Sequence, residues 1–297
     1  MPYISVDRLK NGDEVKVYYT TLGNKKGIPV VYLHGGPGDS ITPFYKRQFD
    51  LKLYHVLLFD QRGCGKSIPR NHLEKNTTKH LLTDIEELRK VMGVEKWVVS
   101  GGSWGSALAL LYAEKWPSHI SGLILRGVYD LSLETDVLQS VYPENDDAIN
   151  TIVPSKGTKD FYQKTMKILT GKNTKTRRQL IHAMNKNDPL YVYGTPGKDS
   201  FSVQETLALI GSHYENNAFF MPKKIIYKNL HKIQHLPLIM LEGRYDVVTP
   251  MHIAYELSKK LPKTDLRVIR SGHTMHETAM IKALYKASQD MAKLVKA

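Results

Sequence analysis

Gly101-Gly102-Ser103-Trp104-Gly105 sets one serine among glycines, directly after the apolar run Trp97-Val98-Val99-Ser100 and before the small-residue run Ser106-Ala107-Leu108-Ala109. The pattern G-x-S-x-G has chemical meaning where a strand turns sharply into a helix, because the turn projects the hydroxyl at the carboxyl end of a sheet. Flanking glycines let strand and helix approach without Cβ clashes. A serine hydroxyl is a poor nucleophile until a base takes its proton, and in this context the helpers follow in the chain order acid, then histidine. Asp246, in Gly243-Arg244-Tyr245-Asp246 after the apolar run Leu238-Ile239-Met240-Leu241, is the candidate carboxylate. His273, in Ser271-Gly272-His273, is the candidate base; among twelve histidines it combines the expected order, a loop after a strand and a glycine neighbour. His276, its nearest rival, falls where the last helix should begin.

Acyl transfer also needs two backbone N–H donors for the tetrahedral oxyanion, one from the residue after the nucleophile and one from an early strand-end loop. Those requirements nominate the amides of Trp104 and of Gly36, the latter in His34-Gly35-Gly36-Pro37-Gly38. Gly36-Pro37 is also a candidate cis peptide, since X-Pro bonds are where cis occurs. A third glycine-punctuated loop, Asp60-Gln61-Arg62-Gly63-Cys64-Gly65-Lys66-Ser67, resembles a fragment of a phosphate loop. The Walker pattern requires glycine five residues before Gly65, where Asp60 stands, so nucleotide binding is not expected there. Cys64 lacks the strand–turn–helix setting of Ser103 and reads as a small buried thiol beside the site.

These loops need strands to hold them. Short apolar runs alternate with longer amphipathic ones, the signature of a largely parallel sheet flanked by helices. Strands are expected at Val15–Thr21, Pro29–Leu33, His55–Asp60, Trp97–Ser100, Gly122–Arg126, Leu238–Glu242 and Leu266–Ile269, and helices at Thr77–Met92, Ser106–Trp116, Met251–Leu261 and His276–Lys296. Between about Ser132 and His231 no strand pattern appears, but helical stretches separated by Pro154, Pro189, Pro196 and Pro222 do. The chain therefore divides into a first core part (1–131), a helical cap insertion (132–231) and a second core part (232–297).

Composition narrows the field further. The 297 residues carry 42 Lys+Arg against 29 Asp+Glu, a net charge of +13, yet the longest basic runs are pairs such as Lys25-Lys26 and Arg177-Arg178. No basic block marks a nucleic-acid partner. A single cysteine excludes a disulfide framework or a cysteine-rich zinc module. No apolar stretch is long enough to span a bilayer, and the N-terminus shows no secretory h-region, so a cytoplasmic, membrane-free protein is expected.

Together, His34-Gly35-Gly36-Pro37-Gly38, Asp60-Gln61-Arg62-Gly63-Cys64-Gly65-Lys66-Ser67, Gly101-Gly102-Ser103-Trp104-Gly105-Ser106 and Gly243-Arg244-Tyr245-Asp246 resemble the proline iminopeptidase (prolyl aminopeptidase) family. The resemblance covers the core from about Gly12 to Leu131 and from about His231 onward. It implies an α/β-hydrolase fold with a mostly parallel central sheet and an inserted helical cap, and a serine exopeptidase that releases N-terminal proline from short peptides. Ser103, Asp246 and His273 take the triad positions, Gly36 and Trp104 the oxyanion positions, with neither metal nor organic cofactor. The cap departs from the family. Gly211, in Gly211-Ser212-His213-Tyr214-Glu215, stands where a substrate-binding glutamate belongs. The second cap glutamate, usually just after a tryptophan, has no counterpart. Glu215, one helical turn beyond Gly211, is the candidate replacement. An esterase or amidase acting on a neutral acyl group is the alternative these losses leave open, and a non-catalytic binding protein on the same fold is the third.

Overall fold

Each short apolar run forms a strand, and the amphipathic stretches pack on the sheet they build. The computed structural model describes residues 2–131, 143–155, 158–185 and 200–296. Its strands are β1 (Tyr3–Arg8), β2 (Glu14–Gly23), β3 (Ile28–Leu33), β4 (Tyr54–Phe59), β5 (Trp97–Ser103), β6 (Ile120–Val128), β7 (Leu238–Gly243) and β8 (Thr264–Ile269). They make one eight-stranded sheet in the order β1-β2-β4-β3-β5-β6-β7-β8. The β1·β2 and β2·β4 pairings are antiparallel and all the others parallel.

Burial on both faces explains why the central strands are continuously apolar. Val31, Leu33, Leu57, Phe59, Val99 and Leu125 face one cluster with α1 (Thr78–Val91), α2 (Trp104–Lys115) and α8 (Met251–Lys260). Their alternates, Val30, Tyr32, Val56, Leu58, Val98 and Ile124, face α9 (Thr278–Leu294) through Met280, Leu284, Ala287 and Met291. The strand order reverses at the β3–β5 pair, and in open α/β sheets ligands bind beyond the carboxyl ends of such a pair.

Two differences from the sequence expectation have physical causes. β1 adds a strand to the expected seven; Tyr3–Arg8 alternates between exposed and half-buried and is held by backbone pairing to β2 rather than by burial, so it lacks an apolar signal. Helix α2 starts at Trp104, two residues before the expected Ser106, because Ser103 alone makes the turn.

Five described helices lie between β6 and β7: α3 (Pro143–Ile152), α4 (Thr158–Leu169), α5 (Thr174–Asn185), α6 (Phe201–Asn216) and α7 (Ile225–Asn229). Pro154 separates α3 from α4 and Pro222 separates α6 from α7, while Pro189 and Pro196 fall outside the described residues. Val153, Leu169, Leu180, Ile181 and Ala208 give the insertion a small apolar core of its own. Helix α6 lies across the carboxyl edge of the sheet. Arg70 donates to Thr206 Oγ1 at 2.9 Å and to the Ser202 carbonyl at 2.6 Å, and the Tyr214 hydroxyl donates to Asn76 Oδ1 at 3.0 Å. Among the described residues no helix is long and apolar enough to cross a membrane.

Candidate active site

At the end of β5 the chain reverses through a single residue. Ser103 has φ 57° and ψ −128°, a left-handed conformation that for a serine costs about 1–3 kcal/mol. The surroundings enforce it. Gly105 lies so close to β3 that a Cβ there would collide with the Leu33 carbonyl oxygen. Ser106 Oγ donates to the Ser103 carbonyl at 2.6 Å and accepts the Tyr129 N–H at 2.9 Å. The turn leaves the Ser103 side chain beside Gly35, and its backbone passes directly into the first turn of α2.

Asp246 and His273, far apart in sequence, meet in the loops after β7 and β8. His273 Nδ1 is 2.7 Å from Asp246 Oδ2, and both residues are buried. Asp246 Oδ1 accepts the amides of Val248 and Thr249, each at 2.9 Å, and Oδ2 also accepts the Thr249 hydroxyl at 2.9 Å. Burial works against the charge on Asp246, but the His273 charge, the His273 hydrogen bond and the Thr249 donors outweigh it and hold the carboxyl below its ordinary range. An ionised carboxylate on Nδ1 keeps the imidazole proton there and leaves Nε2 as the basic nitrogen.

The His273 ring packs against the end of β6. Gly102 pairs with Arg126 and Ser103 with Val128, so Gly127 is an extra residue that bulges out of register. Gly127 has φ 54°, and a Cβ on it would stand 3.1 Å from His273 Cε1 and 3.0 Å from Thr249 Oγ1. A side chain at 127 would therefore press on the imidazole and on Thr249, and the positive φ also favours glycine there. Arg126 donates to the His273 carbonyl oxygen and fixes the loop from below.

The loop after β3 is built by the Asp60–Ser67 segment. The Gln61 amide donates to His34 Nε2 at 3.0 Å, Gln61 Nε2 donates to the His34 carbonyl at 2.8 Å, and Gln61 Oε1 accepts the Trp104 indole N–H at 2.9 Å. One glutamine thus ties the His34 end of the early loop to the Trp104 side chain, a link with no local sequence signal. Gly36 is exposed between buried neighbours, and the Gly36-Pro37 peptide is cis as expected. The Trp104 amide is the first of α2, where no carbonyl within the helix can accept it. Arg62 is fully buried and grips Asp84 at 2.5 and 2.7 Å. Burial raises the Cys64 thiol well above its ordinary range, so this cysteine stays protonated and weakly nucleophilic. Among the described residues no cluster of His, Cys, Asp and Glu is arranged to hold a metal ion.

The roof of the site is α6. Position 211 looks onto the oxyanion loop, since a Cβ on Gly211 would lie 3.6 Å from the Pro37 carbonyl oxygen. Glu215, one turn further, is half-buried, hydrogen-bonds Tyr162 of α4 and acts electrostatically on Tyr129, which follows β6. Burial pushes its carboxyl up to about 7, with the Tyr162 hydroxyl pulling the other way. Tyr129 packs edge-on against Phe219, which stacks on Trp104, and these rings form an aromatic wall beside the Ser103 turn.

A strained serine after the fifth strand, a carboxylate–histidine pair from the last two strand-end loops and a helical roof define an α/β-hydrolase, and the model of the alpha/beta hydrolase fold family matches residues 28–279. Solved structures agree on the fold: an esterase from Exiguobacterium antarcticum (TM-score 0.63, 20% identity) and a bromoperoxidase from Bacillus anthracis (TM-score 0.65, 17% identity), each matched over 99% of both chains. Closer in sequence are the proline iminopeptidases of Neisseria meningitidis, 32% identical over 93% of this chain and 92% of that one, and of Arabidopsis thaliana, 35% identical over 99% and 81%. That of Xylella fastidiosa is 34% identical over 93% of each chain. The chain belongs to the proline iminopeptidase family of α/β-hydrolases.

The Gly127 contact yields a direct test of how the histidine is placed. Gly127→Ala should lower kcat several-fold, since His273 or Thr249 must give by a few tenths of an ångström, with KM little changed. Steady-state kinetics retaining kcat within twofold would show that the bulge does not position His273.

Proposed function

We propose that the protein is a prolyl aminopeptidase that hydrolyses short peptides through an acyl-enzyme on Ser103. The observations that carry this reading are the Asp246–His273 pair at 2.7 Å and the strained Ser103 turn, in a chain whose relatives over nearly its whole length are proline iminopeptidases. His273 Nε2 takes the Ser103 proton as Oγ attacks the carbonyl carbon of the N-terminal prolyl residue. The amides of Gly36 and Trp104 receive the oxyanion. On collapse, the imidazolium gives its proton to the leaving amine, and the shortened peptide departs. Water, deprotonated by the same histidine, then attacks the prolyl ester and releases proline. Asp246 holds the tautomer and offsets the imidazolium charge throughout.

Recognition of a free imino terminus calls for a negative group near the acyl site, because an ammonium in a partly desolvated pocket needs a charged partner. With glycine at 211, Glu215 is our candidate for that group. The single buried cysteine suits a reducing compartment, so we assign the enzyme to the cytoplasm, with small peptides and not nucleic acid as its partners.

A substrate panel tests the reading. Prolyl arylamides should be cleaved far better than nitrophenyl esters of neutral acids, and Ser103→Ala should remove all but residual turnover on both. The reverse preference would replace the peptidase by an esterase of the same triad, and full turnover by Ser103→Ala would remove the mechanism altogether.

Glu215 adds a pH dependence whose sign is fixed by its raised carboxyl, titrating at about 7. Above that pH the carboxylate is charged and can hold the cationic substrate; as pH falls through it, the charge is lost and KM for a prolyl arylamide should rise. Glu215→Gln should show the high KM at every pH while leaving the hydrolysis of neutral esters intact. Equal KM profiles for Glu215→Gln and the unmodified enzyme would exclude this residue as the amine site.

A further inference from the structure

We propose that Glu242, next to last in β7, is a neutral carboxylic acid that donates a hydrogen bond to Asp246 and so acts as a positioning residue for the triad. The inference rests on the reading of Ser103, Asp246 and His273 as the reacting groups.

Glu242 is wholly buried at the carboxyl end of β7, four residues before Asp246 and facing it. Its Oε2 accepts the Val128 amide of β6 at 2.9 Å, whereas Oε1 is buried with no hydrogen-bond donor among the described residues. The charged and titratable groups around it are Asp246 in the following loop, His273 beyond Asp246, and Arg126 on β6. Arg126 is not free to bond Glu242 alone, since it donates to the His273 carbonyl and packs against Gly102.

Two buried carboxyl groups that interact with one another do not both ionise. Which one keeps the proton follows from the donors each receives. Asp246 accepts from Val248, from the Thr249 amide and hydroxyl, and from His273; Glu242 accepts from Val128 alone. The charge therefore settles on Asp246 and the proton on Glu242. A proton on Oε1 gives the otherwise unpartnered atom its bond, with Asp246 as acceptor. Burial and then the Asp246 charge drive the Glu242 carboxyl well above its ordinary range, against the weaker pull of the Val128 amide and Arg126. The consequence for catalysis is a further donor on the triad acid. It restricts rotation of the Asp246 carboxylate, and it draws off part of the charge that would otherwise make His273 more basic.

The test compares Glu242→Leu with Glu242→Gln. Gln can accept the Val128 amide through its oxygen and donate to Asp246 through its nitrogen, as the neutral acid does. Leu does neither. Glu242→Leu should lower kcat by roughly tenfold, the usual effect of removing a hydrogen bond to a charged group, and should move the acidic limb of kcat/KM to higher pH. Glu242→Gln should recover kcat relative to the leucine variant, with the acidic limb where the unmodified enzyme has it.

An ionised Glu242 predicts a different result. Removing its charge with Gln would then shift that limb to lower pH by about one unit, and this outcome overturns the proposal. So would a Glu242→Leu enzyme with an unchanged pH profile and lowered thermal stability only, which would mark the residue as packing. If Glu242→Leu fails to fold, the position of the limb in Glu242→Gln decides the matter by itself. Asp246→Asn separates this proposal from the reading beneath it. That variant should lose kcat by about 10⁴-fold if the triad holds. Retained activity there would sink the triad, whereas a dead Asp246→Asn beside an unaltered Glu242→Leu profile would sink the role of Glu242 alone.

Discussion

Everything in this site follows from the reversal of the chain at Ser103. A serine forced to φ 57° is unfavourable in isolation and persists because its neighbours leave no other path. Gly105 brings α2 into contact with the Leu33 carbonyl, and Ser106 closes the turn from inside. β3 and β5 are neighbours at the point where the strand order reverses, so the loop after β3 and the Ser103 turn after β5 lie side by side at the carboxyl edge of the sheet. The strain is local, and the cost is carried by a sheet whose central strands are buried on both faces.

The second organising element is polar. Gln61 joins three parts of the site: the His34 ring and carbonyl on one side and the Trp104 indole on the other. One buried side chain therefore joins the two segments that carry the candidate oxyanion amides, and the next residue, Arg62, is anchored to Asp84 of α1. On the far side of the nucleophile the same principle operates through Arg126, which links β6 to the His273 backbone. The overall charge of +13 says little about this region. What matters chemically is a line of carboxyl groups in different environments: Asp246 held ionised by its donors, Glu242 held neutral by burial beside it, and Glu215 in the roof, titrating near neutrality.

Much of the architecture was legible in the sequence because the fold needs particular residue types at particular contacts. Glycines around Ser103 and after Leu33 mark backbone approaches that no side chain allows, and the uninterrupted apolar runs mark strands covered on both faces. Other features have no local signature. β1 is an edge strand held by pairing rather than burial. Gln61 acts through contacts to His34 and Trp104, far from it in sequence, and nothing in Asp60-Gln61-Arg62-Gly63 distinguishes a bridging amide from a solvated one. Two signals were present and informative: a glycine and an arginine, Arg126-Gly127, interrupting the apolar run of β6, and a glutamate closing the apolar run of β7. Both turned out to surround the histidine and its acid. The roof is the least legible part, since which residues of α6 face the loop below depends on how the helix is seated on it.

In the proposed mechanism the prolyl group is carried on Ser103. That step is tested most directly by quenching the enzyme in acid during turnover of a proline ester and determining the intact mass and the modified peptide. The expected result is a population of enzyme heavier by one prolyl residue, attached at Ser103 and decaying as substrate is exhausted. Unmodified protein throughout rapid turnover, or a prolyl adduct on any residue other than Ser103, would contradict it.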